Sequence, residues 1–322
     1  MDLTYNELSF SSCYPDKHSA IEGLHRSLVI ARRLNKLGYN STIRVVKDFK
    51  QQKLAPDYGI NDWINDTVAH SAGPEKELFR FFCTNCTKSP YLEDCYEKLQ
   101  LPADVDYQYQ GRPSFGLTLA HLWDTLSLSL DGDENFKTFS IEITRFTLNE
   151  NGEVAATPCV SHTLSRESQL AENLMAIKQK LLAKLHCGAD IIKTAKKYFP
   201  NLLFCENAEK QLRGFTGSEE YFGEIIRHLY VFDGEKEQQA GAFSPKGISY
   251  ASRESTTTAN NKKYREAREF KCPDGEIRYF GAHSKLMSAN KRIHILPDYA
   301  DHNGADKVLI GYVGDHLPVS SR

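Results

Sequence analysis

The last fifth of the chain most constrains the fold. Three β-type segments, Glu276 to Ser284, Lys291 to Leu296 and Lys307 to Tyr312, are separated only by short connections containing Ser288-Ala289-Asn290 and Asn303-Gly304-Ala305-Asp306. Parallel neighbours need a crossover of a dozen or more residues, so these segments can pair in sequence only as an antiparallel meander. Pro273-Asp274-Gly275-Glu276 has the chemistry of the tight turn that would open it. Residues 247–322 are therefore expected to form a basic, β-rich C-terminal domain.

A chain of 322 residues exceeds the size at which one core usually stops growing, so more than one domain is expected. From Ser19 to Leu37, Ile21, Leu24, Leu28, Ala31, Leu34 and Leu37 recur at helical spacing, and Gly38 follows as a stop. Thr42 to Val46 is β-branched and alternating, which makes the opening read strand, helix, strand. Tyr58 to Asp66 reads as turn-rich, Pro74 to Asn85 as a helix with Pro at its first turn, and Gly116 to Trp123 as a short apolar helix. Thr125 to Leu130 and Lys137 to Leu148 alternate as strands. A hairpin turn at Asn149-Glu150-Asn151-Gly152 would return the chain along Glu153 to His162. These elements place an α/β domain over 1–162. A helical segment is expected over 163–234, with helices in Ser165 to Lys197, divided near Gly188 and Asp190, and in Ser218 to Phe232. Glu235 to Lys246 reads as a linker or exposed loop. The fold class is mixed α+β: an α/β N-terminal layer, a helical middle and a C-terminal antiparallel meander.

A net charge of −2 supplies no whole-chain attraction for nucleic acid. The N-terminus has Asp2 where a secretory signal would be basic, and no apolar run approaches a membrane span. Eight dispersed cysteines then read as reduced thiols, and the expectation is a cytoplasmic protein without membrane contact.

Local clustering is another matter. Between Lys262 and Leu296, nine basic residues against four acids leave +5. Lys262, Lys263, Arg265, Arg268, Lys271 and Arg278 are the candidate nucleic-acid-binding residues. Tyr264, Phe270, Tyr279 and Phe280 are interleaved with them, a pattern suited to a polyanion with stackable bases. The same pattern also suits a solvated sheet surface. Residues two apart on a strand share a face, so His283 points with Lys285, and Arg292 with His294. Two imidazoles and two cations brought together could run ribonuclease chemistry without metal or other cofactor. One imidazole takes the 2′-hydroxyl proton, another protonates the leaving oxygen, and a cation neutralises the phosphorane. His316, after the third strand, completes the candidate catalytic set of His283, Lys285, Arg292, His294 and His316.

Over Phe270 to Leu317, the His-x-Lys strand, Lys-Arg-Ile-His-Ile and Lys-Val-Leu-Ile-Gly-Tyr-Val-Gly-Asp-His-Leu resemble the C-terminal sheet of RelE-like toxins of the barnase-related ribonuclease group. That resemblance implies RNA cleavage by basic residues on a small antiparallel sheet, with Lys285, Arg292 and His294 matching the basic catalytic set.

Other constellations are weaker. Cys83-x-x-Cys86, followed by Cys95, lacks a second ligand pair for zinc. A metal-nuclease core would need an acid and then Glu-x-Lys on adjacent strands. Asp131 or Asp133 with Glu142-Ile143-Thr144 lacks the lysine, and Asp274-Gly275-Glu276-Ile277-Arg278 has Arg in its place. Walker, Gly-x-Gly-x-x-Gly and Gly-x-Ser-x-Gly motifs are absent. The expected function is a toxin-like or phage-defence-type effector that binds and cleaves RNA. The alternatives are a non-catalytic nucleic-acid-binding or interaction subunit, with an inhibitor or defence-complex protein as partner, and a metal-dependent nuclease.

Overall fold

The amphipathic stripe that opens the chain forms α1 (Lys17–Leu37) in a computed structural model. The structure describes residues 2–11, 14–70, 73–86, 88–148, 152–238, 251–301 and 304–319. Asp16 caps α1 by accepting from the Ser19 amide at 2.9 Å, and Gly38 ends it at φ 123°. The apolar stripe is buried at Leu24, Leu28 and Leu34. Hydrophobic burial thus fixes the helix and its two end signals fix its length.

The chain forms two compact units, Met1–Leu181 and Leu182–Arg322. The helices expected as a segment of their own over 163–234 are divided between them.

Unit 1 holds β1 (Leu3–Tyr5), β2 (Ile43–Arg44), β3 (Lys53–Ala55), β4 (Tyr58–Gly59), β5 (Val105–Tyr109), β6 (Arg112–Pro113), β7 (Ser127–Leu128), β8 (Ser140–Leu148) and β9 (Val154–Leu164). Seven of these make one sheet in the order β2-β1-β7-β9-β8-β5-β6. Its β2-β1-β7-β9 half is parallel, and β9-β8-β5-β6 is antiparallel. The helices of this part, besides α1, are α2 (Ile60–His70), α3 (Pro74–Asn85), α4 (Leu92–Lys98), α5 (Phe115–Leu122), α6 (Glu167–Glu172) and α7 (Leu174–Leu182), the last ending at the boundary. The expected turn at Asn149 to Asn151 lies outside the described residues.

The stretch read as turn-rich, Tyr58 to Asp66, is instead β4 followed by the start of α2. Asp62 accepts from the Gly59 amide at 2.7 Å, and Trp63 is buried in edge contact with Phe79 and Phe82. Asn and Asp favour turns locally, but burial of the indole outweighs that preference.

Unit 2 contains α8 (Gly188–Tyr198), β10 (Leu202–Phe204), α9 (Glu206–Arg213), α10 (Phe222–Gln238), β11 (Ala251–Arg253), α11 (Thr256–Asn260), α12 (Lys262–Glu266), β12 (Glu269–Lys271), β13 (Ile277–Tyr279), β14 (Ala282–Leu286), β15 (Lys291–Ala300) and β16 (Asp306–Asp315). The meander is β14-β15-β16, within a five-stranded sheet ordered β10-β16-β15-β14-β11. Only β10 joins parallel to its neighbour. The strand expected over Glu276 to Ser284 is two strands of different sheets, since β13 pairs with β12 while β14 joins the large sheet. The expected linker begins as the end of α10 at Glu235 to Gln238, and residues 239–246 lie outside the described part.

Alternation gives the large sheet two different faces. One presents Ala282, Leu286, Ile293, Ile295, Ile310 and Val313, which pack against Ile191, Leu212, Ile225, Leu229 and Phe232 of α8, α9 and α10. The other is covered in part by the β12–β13 hairpin, through Cys272, Phe280, Tyr299 and Leu309 with Phe270 beside them. Gly311 makes room there, because a Cβ at this position would meet the Phe280 ring at 2.6 Å.

The packing of α5 gives a direct test of unit 1. A Cβ on Gly116 would fall 2.1 Å from the Tyr5 carbonyl oxygen, whereas one on Gly234 within α10 would meet nothing within 4 Å. Gly116→Ala is expected to cost about 1–3 kcal/mol in urea unfolding. Gly234→Ala should instead stabilise by up to about 1 kcal/mol. Equal effects of the two would contradict the close approach at Gly116.

Candidate functional site

The second face of the large sheet carries the polar residues singled out above. In register, His283 pairs with His294 and Lys285 with Arg292 across β14 and β15, and His294 lies opposite Tyr312 on β16. Directly opposed residues, and residues two apart on one strand, share a face. Hence His283, Lys285, Arg292 and His294 all point to the same side, and the two imidazole centroids are 5.1 Å apart.

This face is not open. Arg268 is fully buried, His294 is 1% exposed, His283 7% and Arg292 8%. The cover comes from the chain after β11. Glu254 follows that strand, with its amide donating to the Gly281 carbonyl, and α11, α12 and β12 come next. Arg268 holds the cover in place. Its Nε donates to Glu254 Oε1 at 2.7 Å, and its Nη1 donates to the Tyr264 and Pro318 carbonyls at 2.8 Å each. Its own carbonyl accepts from the Phe280 amide at 2.9 Å.

The expectation that Arg268 meets nucleic acid is therefore corrected: it is an internal ion-pair partner. Glu254, which the sequence reading missed, is the acid at the centre of the cluster. Only its place after a three-residue edge strand gives it that position, and no local pattern signals it.

The remaining predicted residues lie outside the cover. Lys262, Lys263, Arg265, Lys271 and Lys285 are exposed, and Arg278 is half-buried. Several are ion-paired within one turn or hairpin: Lys262 with Glu266 at 3.9 Å, Arg265 with Glu269 at 3.3 Å and Arg278 with Asp274 at 2.6 Å. Arg265 also lies over the Tyr279 ring at 4.7 Å. His316 is half-buried, its amide donating to the Asn290 carbonyl at 3.2 Å.

Electrostatics in the cluster follow from desolvation. Burial drives His283 down to about 4, with Arg292, Arg268 and His316 adding to the shift against the opposing pull of Glu254. Burial, then His283, drives His294 to about 3. Burial also lowers Arg292 and, with the charge of Arg292, lowers His316. Both inner imidazoles are thus neutral at pH 7. His294 Nδ1 must donate to the Phe280 carbonyl at 3.1 Å, which leaves Nε2 with a free lone pair. His283 Nε2 shares a 3.2 Å hydrogen bond with Ser252 Oγ. Four buried nitrogens of the cluster have no hydrogen-bond partner: Arg268 Nη2, His283 Nδ1, Arg292 Nε and His294 Nε2.

Three of the acids considered for a metal-nuclease core, Asp131, Asp133 and Asp274, are engaged elsewhere. Asp131 accepts from Arg26 Nη2 at 3.0 Å and from Tyr14 Oη at 2.7 Å, Asp133 caps a turn at the Asn135 amide, and Asp274 pairs with Arg278. Comparison of the chain with known protein families, curated proteins and solved structures found no match.

Two outcomes follow from this geometry. Arg268→Ala strands the buried Glu254 carboxylate and is expected to cost about 3–5 kcal/mol. Lys263→Ala, at an exposed position, should stay within about 0.5 kcal/mol in the same denaturation experiment.

The second concerns pH. Each inner imidazole is depressed in the fold and titrates near 6.5 in the unfolded chain, so the unfolded state takes up protons first as pH falls. Stability contributed by this site is intact above about pH 7 and is lost progressively toward pH 4. At pH 5 each imidazole should cost about 2 kcal/mol relative to pH 7. His294→Leu is accordingly expected to shrink the drop in urea midpoint between pH 7 and pH 5. An undiminished drop would mean that His294 does not titrate as a buried neutral group.

Proposed function

We propose that this protein is a toxin-like effector of the phage-defence type that binds RNA, and cleaves it, at the polar face of the C-terminal sheet. The observation that carries this reading is the adjacency of the His283–His294 and Lys285–Arg292 register pairs, with unpartnered buried nitrogens gathered around them. A buried polar atom left unpaired costs about 1–3 kcal/mol. Such a cost, repeated four times in one place, is a signature of a site.

The reacting groups in this reading lie at the rim. His316 is half-buried, feels the charge of Arg292 and is held below its ordinary value, so at pH 7 it is a neutral base. It would take the proton of a 2′-hydroxyl as that oxygen attacks phosphorus and the bond to the 5′-oxygen breaks. The proton would then pass to the leaving 5′-oxygen, giving a cyclic phosphate and a 5′-hydroxyl. Arg292 and Lys285 would neutralise the phosphorane, and exposed Lys263 and Lys271 would track the backbone. His283 and His294 would act from behind, by fixing the position of Arg292.

A second reading is favoured by one observation, the near-complete burial of His283 and His294. In it the same surface docks RNA or a protein partner, such as an inhibitor or a defence-complex subunit, and no bond breaks.

The test is incubation of the purified chain with total RNA, with and without Mg²⁺. Cleavage is expected, with His316→Ala and Arg292→Ala each slowing it about 100-fold while circular dichroism is unchanged. RNA left intact under both conditions contradicts the catalytic reading. Salt-sensitive binding without cleavage would then support the second.

A further inference from the structure

Three donor groups meet inside the cluster, from β14, β15 and the residue that follows β11. One ligand atom from each of Glu254, His283 and His294 lies within 4.8 Å of the other two. His283 Nδ1 is 3.4 Å from Glu254 Oε1. Donors around a tetrahedral ion with bonds of ~2.0–2.2 Å are spaced about 3.3–3.6 Å apart, so this pair already has the required separation. The third donor, on His294, lies within 4.8 Å of both.

The outer side of each imidazole is what a metal site requires. His294 Nδ1 is committed to the Phe280 carbonyl and His283 Nε2 to Ser252 Oγ, while His294 Nε2 has no hydrogen-bond partner and His283 Nδ1 faces the Glu254 carboxylate at 3.4 Å without a hydrogen bond. A second-shell acceptor on one ring nitrogen fixes the tautomer and aims the other lone pair at an ion. The carboxylate is likewise oriented, by Arg268 Nε on Oε1. A buried histidine pair serving packing alone would have both nitrogens satisfied or solvated.

We propose that Glu254, His283 and His294 bind a divalent transition-metal ion of the zinc class, leaving its remaining coordination to an anionic oxygen. Two imidazoles with one carboxylate suit such an ion, whereas calcium and magnesium prefer all-oxygen sets. Charge demands the anion. Arg268 and Arg292 against Glu254 leave the pocket at +1 before a divalent ion enters and at +3 afterwards. A neutral fourth ligand cannot offset that in a dry site; hydroxide or a phosphate oxygen can. Arg268 Nη2 and Arg292 Nε are donors without partners in the same cluster, ready for such an oxygen. A cavity of about 350 Å³ has Glu254 in its lining, together with Tyr279, Ala282, Ile295, Leu296 and Pro297. The identity of the anion as a phosphodiester rests on the RNA reading above; the ion itself does not.

The test uses the full chain, stripped with a chelator and titrated with Zn²⁺ against a chromophoric competitor, then with Co²⁺. One ion per chain is expected, and the cobalt form should show ligand-field bands without thiolate charge transfer. Glu254→Gln and His294→Ala should each weaken binding about 100-fold or more. Cys205 and Cys272 are free thiols buried in one cluster beneath the β12–β13 hairpin, and the double variant Cys205→Ser/Cys272→Ser should bind as the parent does.

No binding of either ion by the parent chain overturns the proposal. So does thiolate charge transfer, or loss of binding in the cysteine variant alone. If His294→Ala fails to fold, the parent cobalt spectrum and the cysteine variant still decide. RNA cleavage is read on the same samples. A chain that holds the ion but leaves RNA intact retires the RNA-cleavage reading and keeps the site. A chain that cuts RNA but binds no ion retires the site alone.

Discussion

The ion pair between Arg268 and Glu254 is the interaction on which the C-terminal unit turns. It joins the residue just after the edge strand β11 to the residue just before β12, and so ties together the two ends of the segment that contains α11 and α12. Both charges are desolvated, with side-chain exposures of 0% and 8%. A buried pair of this kind adds little net stability over an apolar replacement, but losing one partner is severe. It also sets a fixed carboxylate beside the His283 imidazole, at 3.4 Å.

The two faces of that sheet then behave differently. The face against α8, α9 and α10 is closed by Leu, Ile, Val and Phe, with His228 bonded to Ser284 Oγ at 2.9 Å as a polar contact. The opposite face is apolar only at one end, around Phe270, Phe280 and Leu309, and gives way to imidazole, guanidinium and carboxylate at the other. Low dielectric makes each unsatisfied group there expensive. The same low dielectric gives an incoming ion or phosphate oxygen a strong interaction with them.

Much of this arrangement was legible in the sequence, and the exceptions have physical reasons. Period-two alternation with short connections was enough for β14, β15 and β16, and for the shared face of His283, Lys285, Arg292 and His294. Burial of that face was not legible, because it depends on a strand break at Phe280 and Gly281 that returns β12 and β13 onto the sheet. Nothing in a continuous β-type run from Glu276 to Ser284 announces that break. The basic run also reads differently once folded: the acids four residues from Lys262, Arg265 and Arg278 neutralise them locally. That spacing was visible in the sequence, but counting net charge over the segment hid it. In unit 1 the helix at Ile60–His70 was lost to its turn-type residues, because the burial that stabilises Trp63 comes from Phe79 and Phe82 on a later helix.

His283 and His294 are neutral, buried imidazoles, each with one ring nitrogen hydrogen-bonded and the other without a hydrogen-bond partner. Long-range proton–nitrogen correlation spectra of the histidine-labelled chain at pH 6 read this directly. The account predicts that both rings stay neutral at that pH, with His294 carrying its proton on Nδ1. Two protonated imidazoles, or a His294 ring with its proton on Nε2, would contradict it.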